Sequence, residues 1–225
     1  NRIDGVTMIG GHYGLHLNGA VANTILDLHT GWNNGGGSQF FVPGLNDPQR
    51  NPNHYWVYAD CIPTHCANAN TFTALVLEGG RNGVFINGRR PGSGEGGFSI
   101  HGGTIEGMSG VGLEMEDTFM PSSIIGVDFE ENGTDIVLDR ATNVNITAVQ
   151  ATRGIRIEGL ARNVTIQDSV VEKVHLSAES RRIRIINLTY GLQSVPNGSW
   201  LTDLHLDPRG AGIIILNDGN NGGAQ

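Results

Sequence analysis

The sequence predicts an all-β chain wound as a parallel β-helix, and three observations carry that expectation. Triplets that alternate apolar and polar residues recur: Ile136-Val137-Leu138, Ile155-Arg156-Ile157 and Val174-His175-Leu176 each begin 19 residues after the last. A second series, Val144-Asn145-Ile146, Val164-Thr165-Ile166 and Ile183-Arg184-Ile185, advances by 20 and then 19. Glycine fills 34 of 225 positions, and no window carries apolar residues at i, i+3, i+4 and i+7 over three turns, so helices should be few.

Each triplet is too short to be stable alone. Side chains alternate across a strand, so Ile155 and Ile157 mark a buried face and Arg156 an outward one. A period near 20 with two or three short strands is what stacked β-coils require, each burying its inward residues against the coils above and below. Leucine-rich repeats share the period but need a leucine and asparagine pattern missing here. Equivalent residues of successive coils then lie about 4.8 Å apart. Asn143 and Asn163 fall at equivalent turns, which suits an asparagine ladder, with Arg182 in place of a third member.

Residues 1–28 contain Val6-Thr7-Met8, Leu15-His16-Leu17 and Ile25-Leu26-Asp27-Leu28, and read as the first coils. Residues 29–74 break the rhythm with aromatics among glycines, asparagines and prolines, and are expected to project as an insertion, with FFV and YWVY pieces short enough to pair with the coils. Looser coils follow: Phe98-Ser99-Ile100, Leu113-Glu114-Met115 and Ile124-Ile125 precede the regular series. Leu204-His205-Leu206 and Ile213–Leu216 offer further strands, and 217–225 reads as a flexible tail of a single domain spanning 1–225. A chain that begins at Asn1 with no basic-then-apolar leader is expected to be a fragment or a processed product.

Formal net charge is −8, with one lysine, Lys173, beside thirteen arginines, which argues against general nucleic-acid binding. No run of eighteen apolar residues suggests a membrane helix. Cys61 and Cys66 flank four residues in CIPTHC, next to His65 and downstream of His54. A disulfide, free thiols and a metal site all remain open, with the disulfide preferred because no second ligand pair at zinc-like spacing exists. No cofactor and no metal are expected.

The phrases ATNVNITAVQATRGIRIEGLARNVTIQDSVVEK and GGFSIHGGTIEGMSGVGLEM resemble the right-handed parallel β-helix proteins of the pectate-lyase-like superfamily, which includes pectate lyases, polygalacturonases and bacteriophage tailspikes. The resemblance covers residues 75–191 and is one of repeat style. It implies a polysaccharide partner, an extracellular or virion-surface setting and a homotrimer. It transfers no catalytic residue: neither a WIDH-like segment nor the NTD, DD, GHG and RIK motifs occur, and no G-x-S-x-G elbow marks an esterase.

Stacking turns outward residues into columns. The first series aligns Glu116, Asp139 and Glu158; the second aligns Glu106, Glu130, Gln150 and Glu172, to within one position. Carboxylates on adjacent coils would lie about 5 Å apart and those two coils apart about 9 to 10 Å, bracketing retaining and inverting glycosidases. Glu106, Asp128 and Glu130 are the leading catalytic candidates, with Glu116 and Asp139 behind them. A solvated acidic face and a calcium site remain open. Arg153, Arg156, Arg162, Lys173, Arg181, Arg182 and Arg184, with His175 next to Arg156, suit an acidic polysaccharide or pairing with Glu158, Glu172 and Glu179. Trp32, Tyr55, Trp56 and Tyr58 fit a wall that stacks on sugars, or equally a cap on the first coils. Five N-x-S/T sequons, at Asn132, Asn145, Asn163, Asn187 and Asn197, are expected by-products of asparagine turns followed by threonine-bearing strands.

Overall fold

The structure, a computed structural model, describes residues 1–8, 13–30, 54–90, 93–94, 97–177, 179–190, 204–206 and 214–216. Among these residues there is no helix, and two large parallel sheets of 13 and 8 strands account for nearly all the order. The segments expected to project in part do not. Tyr55–Asp60 is an interior strand of the 8-stranded sheet, and Asn70–Glu78 is an interior strand of the 13-stranded one. Trp32 and the FFV piece lie outside the described residues, as does the tail 217–225.

The strand order explains how triplets with no local partner become buried. In the 8-stranded sheet Val111–Glu116 pairs with Thr134–Asp139, which pairs with Ile155–Glu158 and then Val174–Leu176, each strand finding its partner one repeat away. Leu113, Ile136, Ile155 and Val174 are therefore in register, as are Met115, Leu138, Ile157 and Leu176. All eight are at most 1% exposed. In the 13-stranded sheet the same holds for Ile25, Phe72, Ile100, Ile124, Ile146, Ile166 and Ile185. This pairing is compatible with a parallel β-helix.

The 13-stranded sheet is two columns joined at a bend. Long strands such as Asn70–Glu78 and Phe98–Glu106 run through both, while later levels break into a four- to six-residue strand and a two- or three-residue one, as in Ser122–Ile125 followed by Asp128–Glu130. At the bend every level has a residue of positive φ: Gly5, Asp27, Ala74, Gly102 with Gly103 after it, Gly126, Ala148, Asp168 and Asn187. A single left-handed residue turns the chain without an extra loop, and Asp, Asn and Gly are the residues that enter this region most readily. The short second column was hard to read in the sequence, since two residues such as Gln150–Ala151 show no alternation.

The expected asparagine ladder is present: Asn163 Nδ2 donates to Asn143 Oδ1 at 3.0 Å, and both residues have positive φ, as does Arg182 at the next level. A second ladder was not foreseen. Asn23, buried, donates from its backbone N and its Nδ2 to Oδ1 of buried Asn70, whose own Nδ2 caps the Ala20 carbonyl.

Candidate functional site

Two acidic columns rise on different faces, and the structure treats them differently. Glu116, Asp139 and Glu158 are in register on the outer face of the 8-stranded sheet, as the 23- and 19-residue steps predict. Arg140 neutralises the lower part, reaching Glu116 at 2.5 Å, Asp117 at 2.7 Å and Asp139 at 2.6 Å. Arg156 Nε donates to Glu158 Oε1 at 2.9 Å. Carboxylates so clamped are parts of an ion-pair network.

The other column carries no such clamp. Glu78, Glu106 and Glu130 are in register at the ends of three neighbouring strands of the 13-stranded sheet, one strand spacing of about 4.8 Å apart. Glu106 lies in the middle, and its carboxyl is pushed above the usual range, first by burial and then by Glu78, Glu130, Glu131 and Asp128. Asp128 lies two residues before Glu130 on the same strand; burial raises its pKa as well, and its buried Oδ1 has no hydrogen-bond partner among the described residues. Among the described residues no ion pair neutralises any of these four.

One alignment needs correction. Gln150 is level with Asp128 rather than Glu130, so Thr152 follows Glu130 and Glu172 follows Thr152. The reason is that the level length is not constant: it is 24 residues from Glu106 to Glu130, 22 from Asp128 to Gln150 and 20 from Gln150 to Val170. Gln150 Nε2 still reaches Glu130 Oε1, at 3.2 Å, and so supports its position. Glu78 was missed, although Leu77-Glu78-Gly79 and Ile105-Glu106-Gly107 repeat the same apolar-Glu-Gly signature.

The aromatic residues also divide. Trp56 is fully buried, its Nε1 donating to the Gly79 carbonyl at 2.6 Å and its ring meeting His54 edge-on. It is a core residue and offers no face to a sugar. Simple alternation would turn it outward with Tyr58, but Gly80 lies so close that a Cβ there would sit 3.0 Å from the indole nitrogen, and that opening lets the ring tuck in. Tyr55 and Tyr58 do face outward, and three residues not singled out in the sequence join them. Tyr13 stacks on Tyr58 at 4.4 Å between centroids, His16 meets it edge-on, and Phe85 lies 5.1 Å from Tyr55 and 5.2 Å from Tyr58. Burial, with help from Glu114, pushes the Tyr55 hydroxyl up to about 12, so it stays protonated.

The basic residues form no single patch. Arg156 and His175 are in register and exposed on the 8-stranded sheet, whereas Arg162, Arg181 and Arg184 lie on the 13-stranded one. Cys61 and Cys66 are joined by a disulfide across an antiparallel bridge, and neither is a thiol that could bind metal. Among the described residues no group of three or more His, Cys, Asp or Glu is placed to hold a metal ion. A cleft of about 330 Å³ bounded by Asn68, Thr71, Ser99 and Met120 has no carboxylate in its wall. No family model, curated protein or solved structure matches the chain.

Proposed function

We propose that the chain is a right-handed parallel β-helix of the tailspike and pectate-lyase-like kind that binds a polysaccharide and hydrolyses it at the Glu78–Glu106–Glu130 column. The observation that carries this reading is the in-register carboxylate row with Glu106 raised at its centre. Glu106, whose carboxyl is held above the usual range by burial and by the acids around it, acts as the general acid toward the glycosidic oxygen. Glu130, one strand away, attacks or stabilises the anomeric carbon, a separation that fits retention of configuration. Glu78 maintains the field that holds the proton on Glu106. The test is release of reducing ends from a panel of bacterial surface polysaccharides by Glu106→Gln and Glu130→Gln. Each should lose roughly 10²–10⁴-fold in kcat, and unchanged release removes both from the mechanism.

The aromatic ladder on the opposite sheet favours a second reading, a non-catalytic glycan-binding module of an adhesin or a phage tail. It predicts binding by the unaltered chain with no reducing ends from any substrate. A lyase using an arginine base is the weakest reading, because Arg140 and Arg156 are both held by carboxylates.

A further inference from the structure

We propose that the outer face of the 8-stranded sheet at Tyr55, Tyr58, Phe85 and Glu114 is a binding site for an amino sugar, taking the pyranose ring on the tyrosines and its ammonium beside Glu114. His16, Tyr58, Phe85 and Glu114 are one outward row, in register across four successive strands. The row passes from aromatic to anionic at a single step, from Phe85 to Glu114. Phe85 is 7% exposed and forms the floor, with Tyr55 and Tyr58 half-buried above it.

Glu114 is the unusual member. Its carboxyl is half-buried, makes no hydrogen bond or ion pair among the described residues, and is held above the usual range by that burial and by Glu116, Asp139 and Glu158. The nearby cations make their direct contacts elsewhere: Arg140 lies on Glu116, Asp117 and Asp139, and Arg156 lies on Glu158 and only partly offsets the acids around Glu114. An external cation beside Glu114 relieves the like-charge repulsion and at the same time meets the negative faces of the neighbouring rings.

The shape argues for a sugar. The ladder from Tyr13 to Phe85 crosses three strands, about 10 Å in a line, which matches the length of a short oligosaccharide rather than the closed cage a lone quaternary ammonium prefers. The Tyr55 hydroxyl stays protonated and so keeps a donor for sugar oxygens at any physiological pH. This site is on a different sheet from Glu106 and Glu130, so it stands or falls separately from hydrolysis at that column.

The experiment is a calorimetric titration of the intact protein with a glucosamine oligomer and with its N-acetylated counterpart of the same length, at a pH where the amine is charged and carboxylates are ionised. The two ligands differ chiefly in the ammonium. Binding of the glucosamine oligomer should be at least about tenfold tighter. Glu114→Gln should abolish the difference, Tyr58→Ala should weaken both ligands, and Glu179→Gln, an exposed acid elsewhere, should change neither. Equal affinity for the two oligomers, or no binding of either, overturns the proposal without reference to any variant. So does an equal loss in Glu114→Gln and Glu179→Gln, which would mean general attraction to a chain of net charge −8.

Discussion

Asn163 donates its side-chain amide to Oδ1 of Asn143 at 3.0 Å, one level down the stack, and both residues hold left-handed backbone with φ of 54° and 61°. The side-chain bond and the backbone turn need the same residue type, because Asn is short enough to enter that region and carries both donor and acceptor. Asn163→Ala loses the bond and keeps the strained φ, for a cost of about 2 kcal/mol, or a Tm lower by roughly 4–8 °C. Asn163→Gly relieves the backbone and should fall between the two in a thermal melt.

Ile157 and Arg156 are adjacent but face opposite ways. Ile157 is 0% exposed between Leu138 and Leu176, and Ile157→Ala should cost about 2–5 kcal/mol. Arg156 is exposed, and Arg156→Ala should cost at most about 1 kcal/mol through its surface pair with Glu158. Chemical denaturation of the two variants measures the contrast; equal losses would mean that the strand is not buried on one side.

Arg140 is the shared cation of Glu116, Asp117 and Asp139. Arg140→Gln leaves three carboxylates facing one another, and should lower stability by about 1–2 kcal/mol at low salt, with much of the loss recovered near 1 M salt by screening. Melting curves across a salt series read this directly. A salt-independent loss would point to packing of the arginine stem instead.

Glu114 carries a raised pKa in the folded chain, so the folded state holds its proton to higher pH than the unfolded state does. Its contribution to stability is therefore fully present below the unfolded value of about 4.3 and is lost as pH rises through the folded value. Glu114→Gln removes that loss. The variant should melt close to the parent near about pH 4 and above it at about pH 7. The same sign applied to Glu106 predicts hydrolysis that declines as pH rises through its raised pKa, an alkaline limb that Glu106→Gln abolishes along with activity.

The regular part of the stack was legible because its steps are nearly constant. The 19-residue step from Ile136 to Ile155 to Val174 gives the register observed, and with it the row Glu116, Asp139 and Glu158. Where level length drifts, reading by period fails, and Gln150 slips two places relative to Glu130. Trp56 stayed open between a sugar wall and a cap for a different reason: its burial depends on Gly79 and Gly80, more than twenty residues away in sequence.

In the regular strands, such as Ile155–Glu158, the inward side chains could be read from the sequence, since alternation within a strand is a local property of the backbone, and so could the turns where Asn143 and Asn163 stack; Trp56 is the exception. Which carboxylates are clamped by an arginine came from the packing of distant levels. Glu116 and Glu106 look alike in the sequence, each ending an apolar-polar strand, yet one is clamped by Arg140 and the other lies among Glu78, Glu130 and Asp128. Charge neutralisation acts through space over a few ångströms, between residues more than twenty positions apart, and depends on the register and corner length of every level between them.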